Sequence, residues 1–101
     1  MAKGYFIVTE DIQDQDGINA YADKAVLTIL QSGGKPIIVE RNVEVLEGKW
    51  HGSQTIVVEF DSVDAARAWY NSDAYQAVIG ERHAAADSNA VIVSGFEMPS
   101  S

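Results

Sequence analysis

The segment Gly4-Tyr5-Phe6-Ile7-Val8-Thr9 narrows the choice of fold more than any other stretch of this chain. It is aromatic and β-branched, a composition that suits a pleated surface, and Glu10-Asp11 is the expected end of the strand. Side chains alternate between the faces of a strand, so Phe6 and Val8 share one face while Tyr5 and Ile7 share the other. Both sets are apolar, which requires cover on both faces of the sheet. In a chain of 101 residues one layer of helices can cover only one of them.

The rest of the chain supplies that layer. Asp14 or Asp16 can cap an amphipathic helix that runs to about Gln31, in which Ile18, Tyr21, Ala22, Ala25 and Ile29 recur at helical spacing. Val26 and Leu30 widen the stripe, and Asn19, Asp23 and Thr28 are expected nearer the solvent. Ser32-Gly33-Gly34 stops the helix, since glycine enters the left-handed region without penalty. Residues 36–40 read as a second strand, interrupted at Arg41-Asn42 and resumed over 43–46, which amounts to a bent or bulged strand ending at Glu47-Gly48. A polar loop, 49–53, carries Trp50 and His51 into a third strand over 54–60, with Ile56, Val58 and Phe60 on one face. Asp61-Ser62 then caps an alanine-rich helix over 63–70. Asn71-Ser72-Asp73 breaks it and recaps a second piece expected through Ala86, after which Asp87-Ser88-Asn89 ends the helix and residues 90–97 form strand four.

The order is β-α-β-β-α-β, the ferredoxin-like α+β plan: a four-stranded antiparallel sheet with both helices on one face. One domain is expected over residues 1–98, with 99–101 a disordered tail. The open face is expected to pack on the sheet of a second copy about 10 Å away, giving a homodimer.

Composition removes several function classes. Seven basic against fifteen acidic residues give a net charge of -8, which disfavours nucleic acid and anionic membrane surfaces as partners. Without cysteine there is no disulfide framework, thiolate metal site or cysteine nucleophile. The start Met1-Ala2-Lys3-Gly4 runs directly into a strand, no apolar run approaches membrane-spanning length, and a soluble cytoplasmic protein is expected. Gly33-Gly34 follows a helix, whereas a dinucleotide-binding glycine loop follows a strand. Neither a G-x-S-x-G elbow nor an H-E-x-x-H pair is present. Asp11, Asp14 and Asp16 are better explained by capping and solvation than by a calcium loop. No cofactor and no metal are expected.

Gly4-Tyr5, Gly33-Gly34, the run from Val43 to Gly48 with Trp50, Phe60 and Ser62, Ala65-Ala66, Trp69-Tyr70-Asn71-Ser72, Tyr75, Arg82 and Ala85 stand in an order and spacing that resemble the small bacterial domain of unknown function 1330 family. The resemblance spans nearly the whole chain. It implies a dimeric α+β barrel, a superfamily that also holds small antibiotic-biosynthesis monooxygenases, chlorite dismutase-like proteins and muconolactone isomerase-like proteins. It implies no particular activity.

Candidate site residues centre on the helix break. Tyr75, Val78, Ile79, Arg82 and Ala86 follow three-four spacing, which puts Arg82 on an apolar face. A guanidinium taken out of water needs a carboxylate or an anionic ligand, so Arg82 is either the receptor of a small carboxylate or enolate, or one half of an ion pair with Glu10, Glu40, Glu44 or Glu59. Trp69, Tyr70 and Tyr75, with Tyr21 from the first helix, either shape a pocket or fill the core. His51 is the candidate acid-base residue, set against a solvated loop histidine, and His83 is expected at the surface. Two functions follow: a cofactor-independent enzyme or binder of a small anionic molecule, or a structural or ligand-sequestering homodimer without chemistry. A haem-binding relative would need a histidine facing a pocket.

Overall fold

Strand β1, Gly4–Ile12, is flanked on both sides by antiparallel neighbours. The computed structural model describes residues 2–99 and places after β1 the elements α1 (Gln15–Gln31), β2 (Lys35–Glu40), β3 (Gln54–Phe60), α2 (Val63–Tyr70), α3 (Asp73–Gln76), α4 (Ile79–Ala85) and β4 (Ala86–Ser94). The sheet order is β2-β3-β1-β4, and each adjacent pair is antiparallel. One crossover joins β1 to β2 around β3, and the other joins β3 to β4 around β1. This is the split βαβ, ferredoxin-like arrangement expected from the sequence.

Register sorts the side chains. Phe6 stands beside Val58 and Ile92, and Val8 beside Ile56 and Ala90, on the face that carries the helices. Tyr5, Ile7 and Thr9 stand on the other face, beside Glu59, Val57 and Thr55 of β3 and Val93, Val91 and Asn89 of β4. The helix layer buries Tyr21, Ala25 and Ile29 of α1, Ala66 and Trp69 of α2, Tyr75 of α3 and Ile79 of α4 in one core with Phe6, Val8, Val58 and Phe60. The Asp14 carboxylate accepts from the Gly17 amide at 3.1 Å and the Ser62 hydroxyl from the Ala65 amide at 3.0 Å, so both long helices start on side-chain caps. Ser72 does this twice over: its hydroxyl donates to the Trp69 carbonyl at 2.6 Å and accepts from the Tyr75 amide at 3.2 Å, closing α2 and opening α3.

Four boundaries differ from expectation. β1 continues to Ile12 instead of ending at Glu10, since its ladder with β3 reaches Gln54 and its ladder with β4 reaches Ala86. For the same reason β4 begins at Ala86, and Asp87-Ser88-Asn89, read as the end of a helix, lie in the strand. Residues 43–46 form no strand: β2 pairs with β3 only as far as Glu40 opposite Thr55, where β3 is almost at its start. The bulge falls earlier, at Ile37, where pairing passes from Pro36 to Ile38. The second crossover comes in three pieces, with a further break at Ala77-Val78. On α1, Leu30 and Ala22 are exposed and Thr28 is buried. Of the expected tail, Pro99 has no regular structure, and Ser100 and Ser101 lie outside the described residues.

The long loop between β2 and β3 is fastened at one point that matters below. Ser53 donates its amide to the Glu10 carbonyl at 2.8 Å. Gly52 lies across the same peptide at φ 88°, where an added Cβ would stand 2.6 Å from the Glu10 carbonyl oxygen. Strain and overlap act together here, so Gly52→Ala is expected to cost about 2 kcal/mol or more. Urea denaturation checks this, and a loss below about 0.5 kcal/mol would show that the loop does not rest on β1.

Candidate functional site

The sheet-facing side chains of α1 are uneven in size. Tyr21 and Ile29 reach the core, but Ala22, Ala25 and Val26 between them are short, and opposite them stand Val8, Ile56 and Val58. Close packing fails where both walls are short, and a cavity of about 160 Å³ remains between α1 and the β2 side of the sheet. Phe6, Ile18, Tyr21, Ile29, Pro36 and Trp69 complete its apolar wall. Exposed Asn19, Ala22, Val39 and Arg41 frame an opening between α1 and β2.

One end of this cavity is polar. The Arg41 Nε donates to the Gln54 Oε1 at 3.0 Å, and the Gln54 Nε2 donates to the Glu10 Oε1 at 2.8 Å. The relay runs inward from exposed Arg41 to Gln54 at 5% and Glu10 at 1% exposure. The second carboxyl oxygen, Glu10 Oε2, is buried without a hydrogen-bond partner. So is the hydroxyl of Ser88, the cross-strand neighbour of Glu10 on β4.

A second polar group lies behind the aromatic wall. The hydroxyls of Tyr21 and Tyr75 are 2.7 Å apart, and the Tyr75 ring stacks at 4.1 Å between centroids on Trp69. The Trp69 indole donates to the Thr28 hydroxyl at 3.0 Å, which itself donates to the Ala25 carbonyl at 2.7 Å. Arg82, 2% exposed, lies against Tyr75 and Tyr21. The ion pairs formed among the described residues are Lys3–Asp61, Lys24–Glu81, Lys35–Glu59, His51–Asp87 and Arg67–Asp64, so Arg82 takes no carboxylate. Its Nε is buried without a partner. Burial pulls the Arg82 pKa down, but Tyr75 and then Tyr21 outweigh it, and the net shift is upward. Burial first, and then Tyr75, push the Tyr21 hydroxyl far above the ordinary phenol value, with Arg82 only partly opposing them.

The structure therefore brings five of the six expected site residues together and separates His51 from them. Tyr21 and Trp69 line the cavity, while Tyr75 and Arg82 stand behind them and do not. Tyr70 is half-buried and does not line the cavity: its ring lies 5.7 Å from Tyr75 and 6.0 Å from Phe6 between centroids, at a shallow cleft with Ala90, Val91 and Ile92. His51 lies across the sheet from the cavity: its Nδ1 meets the Thr9 hydroxyl at 2.7 Å and its Nε2 is 3.5 Å from Asp87, both residues of the open face. His83 is exposed. Among the described residues no group of histidine, cysteine, aspartate and glutamate is arranged to hold a metal. Glu10, Gln54, Arg41 and Thr28 were not foreseen as site residues, although Phe6-Val8-Glu10 and Gln54-Ile56-Val58 each alternate onto the core face.

Comparisons with known proteins follow the fold. A family model described as "Domain of unknown function (DUF1330)" matches residues 3–96. No curated protein matches the chain. Among solved structures it resembles RPA0582, a protein of unknown function from Rhodopseudomonas palustris, at 16% identity and a TM-score of 0.79, over 96% of this chain and 85% of that one. It also resembles SnoaB, a cofactor-independent oxygenase from Streptomyces nogalater, at 9% identity and a TM-score of 0.67, over 97% of each chain. A dimeric ferredoxin-like protein of unknown function from Thermobifida fusca matches at 14% identity and a TM-score of 0.58, over 92% of this chain and 91% of that one. At these identities the likeness is one of fold.

The Tyr21 shift has a signed consequence. An unfolded tyrosine ionises near pH 10, while folded Tyr21 keeps its proton well above that. Above about pH 10 the folded state binds the extra proton, so this residue makes stability fall by about 1.4 kcal/mol per pH unit. Urea denaturation across the alkaline range is expected to show a shallower decline in Tyr21→Phe by about that slope, and an unchanged slope would refute the assignment. Thr28→Val, which leaves the Trp69 indole unsatisfied, is expected to cost about 1–3 kcal/mol in the same assay, against near-zero if that bond is idle.

Proposed function

This chain belongs to the DUF1330 family, whose function is unresolved, and from the geometry of the site we propose that it is a cofactor-independent small-molecule protein, an enzyme or a binder, working as a homodimer. The observation that carries the reading is the cavity between α1 and the sheet. Its volume of about 160 Å³ is close to the roughly 150 Å³ that holds one benzene ring, its wall is apolar, and a few polar groups converge at one end. SnoaB, of the same fold, is a cofactor-independent oxygenase, which is compatible with chemistry in such a site. The reading keeps the cytoplasmic location and the single domain over residues 1–98 expected from the sequence.

The homodimer rests on the open sheet face. Tyr5, Ile7, Val57, Val91, Val93 and Ile38 give that face an apolar centre, with Val91 53%, Val93 39% and Ile38 47% exposed. Exposed apolar surface of this extent marks an interface, and the Thermobifida fusca protein of the same fold is dimeric.

A second reading keeps Arg82 as the receptor of a small anion such as a carboxylate or enolate. It is favoured by the absence of an ion-paired carboxylate at Arg82 among the described residues and by its unpartnered Nε. An anion would have to pass Tyr21 and Trp69 to reach it, which the first reading does not require.

Ligand-observed NMR with a panel of single-ring compounds tests the cavity. Binding is expected to the native chain and to vanish in Ala22→Trp, where an indole at the exposed rim closes the mouth. No binding to the native chain, or equal binding to both, would refute the site. For the dimer, sedimentation equilibrium is expected to give twice the mass of the chain, and Val91→Glu a folded monomer. A native monomer would contradict the account of the open face.

A further inference from the structure

Glu10 is the one polar side chain on the cavity wall that is almost wholly out of water and has an unused hydrogen-bonding atom. A buried carboxyl oxygen without a partner is costly, and with the equally unpartnered Ser88 hydroxyl across the strand it asks for a complementary group. The position of Glu10 is overdetermined. Gln54 holds Oε1 at 2.8 Å, Arg41 holds Gln54 at 3.0 Å, and Gly52-Ser53 clamp the Glu10 backbone through the 2.8 Å bond from Ser53. Three elements thus fix one oxygen while leaving the other free.

We propose that Glu10 Oε2 is the recognition atom of the cavity, and that the ligand is a neutral molecule of about one ring carrying a hydroxyl that donates to it. This rests on the cavity reading above and names its ligand class. The apolar wall takes the ring, and the carboxyl oxygen takes the O–H, which a hydrocarbon of the same shape lacks. An acceptor-only group, such as a ketone or ether, presents no proton to that oxygen and is discriminated against. A site built to take a donor rejects the analogue without it far more strongly than an apolar pocket rejects a missing methylene.

Phenol and benzene, which differ by the one hydroxyl, isolate this step. Dissociation constants for both, measured by ligand-observed NMR titration on the full chain, are expected to favour phenol by about tenfold or more, the range that one buried hydrogen bond supplies. Glu10→Leu is expected to bring the ratio to about one, by weakening phenol and not benzene. Glu10→Gln, which keeps shape and packing, is expected to give an intermediate ratio and covers the case in which the leucine variant does not fold. Equal binding of phenol and benzene to the native chain would overturn the role of Glu10 and leave the cavity reading standing. A phenol preference that persists in Glu10→Gln at its full size would overturn it as well. Failure of both probes to bind would overturn the cavity reading, and this inference with it.

Discussion

The helix layer is held to this sheet by the buried side chain of Trp69. At 1% exposure its ring lies 5.0 Å from Phe6 and 5.4 Å from Phe60 between centroids, so it keys α2 onto β1 and β3. Its indole N–H bonds to Thr28 of α1, joining the two crossovers across the layer at 3.0 Å. A large ring under α2 and short side chains under α1 have opposite effects. The layer packs tightly where Trp69 and Tyr75 fill it, and stays open where Ala22, Ala25 and Val26 do not. Trp69 is both the core of one side and the wall of the other.

Two polar groups divide along that wall. Tyr21, Tyr75 and Arg82 form a buried unit in which neutral phenol groups, in place of a carboxylate, lie against the guanidinium, with Tyr21 holding its proton and Arg82 its charge. Glu10, Gln54 and Arg41 form an open-ended relay that leads from solvent to one unused oxygen. The first is closed on itself apart from the Arg82 Nε, and the second ends at the cavity. In the proposed reading the functional weight falls on the carboxyl of the first strand, while Tyr21 is common to both groups, as it lines the cavity and its hydroxyl meets that of Tyr75 in the buried unit.

Much of this was legible in the sequence, and the residues show why. Alternation in Gly4–Thr9 and in Gln54–Phe60 gave faces that the register reproduces, because period-two patterning is set by backbone geometry. Asn71-Ser72-Asp73 marked the helix break because a serine hydroxyl that bonds the flanking backbone is a local device. A carboxylate after an apolar run ordinarily meets water, so the local sequence marks Glu10 as a terminator. Its burial comes from Gln54, forty-four positions away, and from a loop that folds over its peptide, neither of which leaves a local signal. The burial of Thr28 is hidden for the same reason, as its partner Trp69 is forty-one positions distant. Arg82 on a buried face was visible, but its answer by two tyrosines was not, because helical spacing reports a face and not what faces it.

The most direct measurement of the central claim is a crystal structure of the protein grown with phenol. The account requires the ring between α1 and the sheet, bounded by Tyr21 and Trp69, with its oxygen within hydrogen-bonding distance of Glu10 Oε2. A ring lodged elsewhere, or one in the cavity whose oxygen turns away from Glu10 toward Asn19 and solvent, would contradict it.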